Sequence, residues 1–326
     1  MIRDGVLNID KPSGWTSHDV VARLRTLLNA KKVGHAGTLD PGATGVLPVC
    51  FGKGTKIVEH LVGTEKEYRV VMRLGEETDT EDASGTVLRR TDAARVGEPE
   101  VARALGRFVG SYDQLPPIYS AIKVKGLPMY KSARAGKTVE RKARRVTVHR
   151  IDFEGMRDRD VRFTVLCAKG TYVRTLCADA GRALSVGAHL LSLCRTRVGM
   201  FRLEEAVGLA ELEREMERGS WAERVYPLDL VLGHLPAVTV DERWSEKVCH
   251  GVSLPLALLD DRSFSPSIDP KRLRREGEAG ALVRVRGVQS GLLALARIED
   301  SATAGPVLKI EKVLIDVQEQ TARAVK

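Results

Sequence analysis

The stretch from Gly34 to Val49, GHAGTLDPGATGVLPV, restricts this chain more than any other. Seven of its sixteen residues are Gly, Pro or Asp, which suits neither a regular helix nor the middle of a sheet. The glycines Gly34, Gly37, Gly42 and Gly45 permit backbone angles that other residues avoid, and they let another molecule's backbone come close. Pro41 fixes the chain directly after Asp40 and biases that aspartate toward an extended conformation. The stretch therefore reads as a stiff, bare loop carrying one carboxylate. An acid held this way suits a nucleophile or a general base. The same LDPG sequence also makes an ordinary turn in which the aspartate bonds its own backbone.

Helical and strand patterns are interspersed around this loop. Val20, Val21, Leu24, Leu27 and Leu28 recur at helical spacing, with Thr16 and Asp19 placed for a capping box. The same spacing returns in Val101, Ala102, Leu105, Phe108 and Val109, and in Val173, Leu176, Cys177, Ala180 and Leu184. Strands are predicted over 68–74, 146–153 and 161–167; in the last, Val161, Phe163, Val165 and Cys167 alternate with their neighbours. No regular βαβ period links these elements, so the class is α+β rather than a doubly wound sheet. Beyond Pro236 come short strand-like pieces at 281–287, 291–298 and 307–315, after a polar loop over 260–279. This predicts two domains, 1–235 and a small, mostly β module at 236–326.

Composition narrows the partners. Lys and Arg outnumber Asp and Glu by 52 to 43, a net charge of +9, which favours a polyanion. Five cysteines without a CxxC pair argue against a disulfide framework and a cysteine-rich zinc site, and suggest reduced thiols in a cytoplasmic protein. The N-terminal residues lack the apolar region of a signal peptide, and no run of apolar residues is long enough to span a membrane.

Other candidate chemistry is sparse. The GKT at 136–138 lacks the glycine that a phosphate loop needs five residues earlier, where Lys131 stands. The seven histidines are scattered without ligand spacing, so neither a metal nor a nucleotide cofactor is expected. AKGTYVRTL, 168–176, follows a strand directly. There Arg174 opens a helix from a glycine turn and could aim its guanidinium at a carboxylate or phosphate, with Tyr172 pointing the same way; both could equally be surface residues of the junction. KTVERKARR, 137–145, is either a solvated charged face or a patch that follows phosphates.

In this order the motifs resemble those of the TruB family of bacterial tRNA pseudouridine synthases. They are LNIDKPSGWTS, GHAGTLDPGATGVLPVCFGKGTK, KEYRV, PPIYSAIKVKGLPMYKSAR, KGTYVRTL and GAHLLSLCRTRVG, and they span most of residues 5–199. The resemblance implies a mixed, mainly antiparallel pseudouridine synthase sheet and a C-terminal PUA-like RNA-binding module. It also implies an enzyme that isomerises uridine 55 in the T-loop of tRNA without a cofactor. By motif position, Asp40 matches the catalytic aspartate and Arg174 the arginine that pairs with it. Tyr68 matches the tyrosine that stacks on the target base, and Tyr172 and Leu193 match positions lining the uridine pocket. His35 matches a histidine that contacts the flipped RNA loop, and Lys11 and Pro12 support the site. The final motif reads Leu193-Cys194-Arg195 where the family commonly has two basic residues, which implies one charge fewer near the cleft.

The resemblance further implies a monomer that turns the target nucleotide out of its stack. Asp40 then acts in its ionised form, as nucleophile on sugar or base or as the base that starts an elimination, and Arg174 favours that charged form. The competing class is a non-catalytic RNA-binding protein or tRNA chaperone. Such a protein has no use for an ionised carboxylate facing a polyanion.

Overall fold

The computed structural model describes residues 2–119, 123–124, 127–129, 141–266, 280–301 and 305–315. The first four residues of the basic run at 137–145 and most of the loop predicted over 260–279 lie outside these.

The body is a mixed sheet. Its first strands are β1 (Gly5–Lys11), β2 (Val33–His35), β3 (Thr44–Phe51) and β4 (Lys66–Leu74). Across the sheet the order is Val207–Gly208, β1, β3, Ala188–Val198, β4, Asp160–Cys167, Arg144–Arg157 and Gly110–Gln114. Along this path β1 runs parallel to Val207–Gly208, and β3 runs parallel to Ala188–Val198; the other neighbours are antiparallel. The expected alternation in 161–167 appears, and the strand read at 68–74 alternates as well. Val161, Phe163, Val165 and Cys167 are buried, and so are Lys66, Tyr68, Val70, Met72 and Leu74 of β4. A period of two therefore places a lysine and a tyrosine on the same face as an apolar core.

Helix α1 (Ser17–Leu27) starts on the predicted capping box of Thr16 and Asp19 and buries Val20, Val21 and Leu24. The helix Glu98–Gly106 is shorter than its spacing predicts, because Phe108 and Val109 lie beyond it. Glycine at its end is a poor helix former, and the backbone closes there with short bonds from Arg107 to Ala104 and from Phe108 to Leu105. The helix Val173–Ala183 forms as expected and packs Val173, Leu176, Cys177 and Ala180 into the main core beside β4.

The opening stretch departs from its predicted character. Only its middle is a loop, since Thr44–Phe51 forms β3, an interior strand between β1 and Ala188–Val198. Two local devices allow this. Gly45 adopts φ +97°, and a β-carbon there would come within 2.3 Å of the Arg195 carbonyl oxygen, so only glycine lets the two strands pass so close. Pro48 lacks an N–H, but its carbonyl accepts from Ala36 at 2.9 Å.

A second sheet follows Pro236, in the order Ala237–Val240, Leu282–Gly287, Gly291–Ser301, Gly305–Val313 and Leu254–Pro255. It has its own core, which includes Val238, Val248, Val285, Ala296 and Leu308. Leu295 and Leu314 also join Val6, Cys50, Val198 and Phe201 of the first body in one apolar cluster. Arg284 clamps the junction through Asp229 at 2.8 Å, and the Lys56 ammonium donates to the Val313 carbonyl at 2.6 Å.

Candidate active site

The loop between β2 and β3 is tied down from both sides. On one side, the Ser17 hydroxyl accepts from the Leu39 N–H at 2.9 Å and donates to the Leu39 carbonyl at 3.2 Å. The Pro41 carbonyl accepts from the Gly14 N–H at 2.8 Å and from the Lys11 ammonium at 3.2 Å. On the other side, Arg195 donates to the carbonyls of Val46 at 2.7 Å, Gly37 at 3.0 Å and Thr38 at 3.5 Å. The LDPG turn is present, with the Ala43 N–H on the Asp40 carbonyl at 3.0 Å. The turn uses the backbone of Asp40 and leaves its carboxylate for another partner.

That partner is Arg174. Its Nε lies 2.9 Å from Asp40 Oδ2 and its Nη2 lies 3.3 Å from Oδ1, a two-pronged contact between groups 134 residues apart. A cation in the first turn of the helix Val173–Ala183 opposes the helix dipole. The carboxylates offset this, since Asp82 Oδ2 is also 3.8 Å from Arg174 Nη1. The Tyr119 and Thr80 carbonyls take further guanidinium N–H bonds at 3.0 and 3.3 Å. The Arg174 side chain is 7% exposed, whereas that of Asp40 keeps 43% of its surface open to the cleft. Withdrawal from bulk water nevertheless holds the Asp40 carboxyl above its usual value; Arg174 pulls it down, and Asp82 pushes it further up. Arg174 does favour the charged form, as expected, but burial outweighs it.

Asp40 and Arg174 line a cleft of about 320 Å³ together with Tyr68, Tyr172, Leu193 and Arg195. Five of the six predicted site residues thus meet in one cavity. Tyr172 caps the helix that carries Arg174, where its backbone exchanges two hydrogen bonds with the Gln114 side chain. His35 is the exception. It sits on β2 outside the cleft lining, edge-on to His18 at 5.4 Å, with Nδ1 buried and, among the described residues, without a hydrogen-bond partner. Burial, then His18 and Arg195, lowers its pKa to about 4, so the ring is neutral.

Cys194 does not mark a missing charge in the cleft. Strand alternation turns it to the face opposite Leu193 and Arg195, and it is not among the lining residues.

Sequence reasoning missed four contributors: Asp82, Tyr119, Lys66 and Arg195. Arg195 is 1% exposed and stands directly opposite Tyr68 in the strand register. Lys66 donates to the carbonyls of Val62 at 2.8 Å and Thr64 at 2.5 Å. Burial, reinforced by Arg195, lowers its pKa to about 8. The alternation of KEYRV carried a signal for Lys66, because it puts the lysine on the face of Tyr68, Val70 and Met72.

The sheet is that of a pseudouridine synthase. The family model "TruB family pseudouridylate synthase (N terminal domain)" matches residues 25–173, and "tRNA pseudouridylate synthase B C-terminal domain" matches 174–233. The chain belongs to the TruB family. It is 46% identical over 301 residues to tRNA pseudouridine synthase B of Ralstonia nicotianae, covering 90% of this chain and 93% of that one. It is 48% identical over 253 residues to the protein of that name from Symbiobacterium thermophilum, covering 77% and 83%. Among solved structures it is similar to a chain of a Cbf5–Nop10–Gar1 complex, with TM-score 0.73 and 30% identity over 98% of this chain and 87% of the other. It is also similar to a chain of an H/ACA RNP bound to a substrate RNA containing 2′-deoxyuridine, with TM-score 0.70 and 28% identity over 95% and 85%.

Proposed function

We propose that this protein isomerises uridine to pseudouridine in tRNA, at position 55 of the T-loop, with Asp40 as its catalytic carboxylate and no cofactor. The observation that carries the reading is the clamped Asp40–Arg174 pair at the mouth of a cleft backed by Tyr68. The names of the relatives point to tRNA as the substrate. The net charge of +9 suits a polyanion.

The target uridine hides its glycosidic bond inside the folded loop, so the nucleotide leaves its stack at a cost of a few kcal/mol. The cleft, at the small end of the ~300–1,000 Å³ usual for ligand sites, accepts one base. Tyr68 offers its ring face, an interaction worth ~1–3 kcal/mol. Arg195 stands opposite that tyrosine on the neighbouring strand. Tyr172 and Leu193 form adjoining walls, and the neutral His35 meets the RNA beyond the cleft. Asp40 acts as a carboxylate whose raised pKa makes it more basic than a free aspartate, while Arg174 fixes the direction of its oxygens. N1–C1′ breaks, the ring turns, and C5–C1′ forms; nothing is gained or lost overall, and the chemistry requires no redox or group carrier. The module from 236 onward, PUA-like in our reading, holds the RNA alongside the catalytic body of 1–235. The enzyme works as a monomer in the cytoplasm; among the described residues no helix is long and apolar enough to cross a membrane.

The test is incubation with unmodified tRNA transcript and mapping of pseudouridine by carbodiimide modification and primer extension. Wild-type protein is expected to modify one T-loop uridine. Asp40→Asn is expected to lose ~10⁴-fold or more in rate, the upper range for a positioned acid–base group, while tRNA binding by filter retention survives. Turnover by a clean Asp40→Asn preparation would sink the assignment.

A further inference from the structure

Arg195 and Lys66 pose a question that clamping the loop does not answer. Both line the cleft, and a methyl group placed on Gly37 would lie 3.6 Å from Arg195 Nη1 and 3.7 Å from Lys66 Cε. Two buried cations thus sit side by side, yet among the described residues neither has a carboxylate within ion-pair distance. Their hydrogen bonds go to main-chain carbonyls. Neutral donors could satisfy those carbonyls. Buried charges normally come with counter-charges, because removing them from water is costly. At the other guanidinium of the cleft, Arg174, the counter-charges are present as Asp40 and Asp82. At Arg195 and Lys66 the anion must arrive with the ligand.

We propose that Arg195 and Lys66 stabilise the negative charge on the uracil ring between cleavage of N1–C1′ and formation of C5–C1′. The inference rests on the functional reading above. When N1–C1′ breaks, its electron pair stays with the ring and spreads over N1 and the carbonyl oxygens. C1′ meanwhile bonds a carboxylate oxygen of Asp40, or shares the pair released when Asp40 removes the 2′-hydrogen. After the ring turns, C5 supplies the pair for C5–C1′, Asp40 is restored to its starting form, and the C5 proton leaves as N1 takes one up. The ring is anionic only between those two bond changes, so a fixed positive field there lowers the barrier without tightening substrate binding. An RNA phosphate is the other anion at hand. However, Arg195 is almost wholly enclosed beside Tyr68, where the base stacks, and a phosphate on the RNA backbone stays nearer the surface.

Lys66→Met tests this without disturbing the Arg195 clamp. Single-turnover cleavage of the N-glycosidic link would be compared in tRNA carrying uridine or 5-fluorouridine at the target, followed by nuclease digestion and chromatography. Fluorine withdraws electrons, so the departing ring needs less external charge. The expected result is a rate roughly 10²-fold lower with uridine, a clearly smaller defect with 5-fluorouridine, and unchanged tRNA affinity. Equal defects with both substrates would mean that Lys66 only supports the Val62 and Thr64 carbonyls, and would overturn the inference. So would weakened binding with a shallower salt dependence and an unchanged rate, the sign of a phosphate contact. Wild-type protein that acts on neither RNA would instead bring down the functional reading itself.

Discussion

The two guanidiniums of the cleft solve the same burial problem in different ways. Arg174 meets two carboxylates from separate parts of the chain, whereas among the described residues Arg195 hydrogen-bonds only carbonyls. At Arg174 the charge is balanced before substrate arrives, and its role is to aim Asp40. At Arg195 the charge is left in excess, and its hydrogen bonds hold the loop from which Asp40 projects. One end of the cleft prepares the attacking group, and the other is built to receive charge. A buried arginine is therefore read from its acceptors: carboxylates imply a neutralised pair, and carbonyls imply a charge held for something else.

The sharpest way to break this contrast is Arg174→Ala. It leaves Asp40 and Asp82 without their shared cation, and it is expected to abolish most single-turnover activity. The cost to stability should be modest, below the ~3–5 kcal/mol for breaking a fully buried pair, because the Asp40 side chain is 43% exposed and solvent screens it. Denaturant unfolding beside the rate measurement checks both halves. An unchanged rate would remove Arg174 from the site.

A smaller effect is expected for Asp82→Asn, read from the pH dependence. Asp40 must be ionised to act and its pKa is raised, so the rate should fall as pH drops through that raised value. Asp82 contributes to the elevation by its charge. Neutralising it should move the acid limb of the rate profile to lower pH, and a limb that stays in place would show that the two carboxylates are not coupled. The same elevation works against stability at neutral pH. The protonated form favours folding, and that contribution is lost as pH rises through the folded-state pKa.

The smallest effect is expected for Cys194→Arg, which introduces a basic residue where the family commonly has one. Cys194 faces away from Leu193 and Arg195, so the rate and stability should change by no more than ~0.5 kcal/mol, the usual range for substitutions away from buried features. A marked rate change would place the side chain in the cleft after all.

The sequence by itself determined much of this protein. Alternation in 161–167 and the strand signal at 68–74 located strands, the capping box located α1, and AKGTYVRTL located a helix that begins near an arginine after a glycine turn. These signals are local, because side-chain period and cap chemistry act over a few residues. The motif order then picked out Asp40, Arg174, Tyr68, Tyr172 and Leu193, which share the cleft. Local pattern misjudged Thr44–Val49, because glycine and proline argue against an interior strand unless a neighbouring strand needs the room, and that neighbour lies some 150 residues away in the chain. Only the tertiary structure decided which charges meet: Asp82 with Arg174, Arg195 with Tyr68 and the Asp40 loop, and His35 with His18 rather than the cleft. Strand pairing and burial set those encounters, and both depend on the whole sheet closing, which no short window of sequence contains.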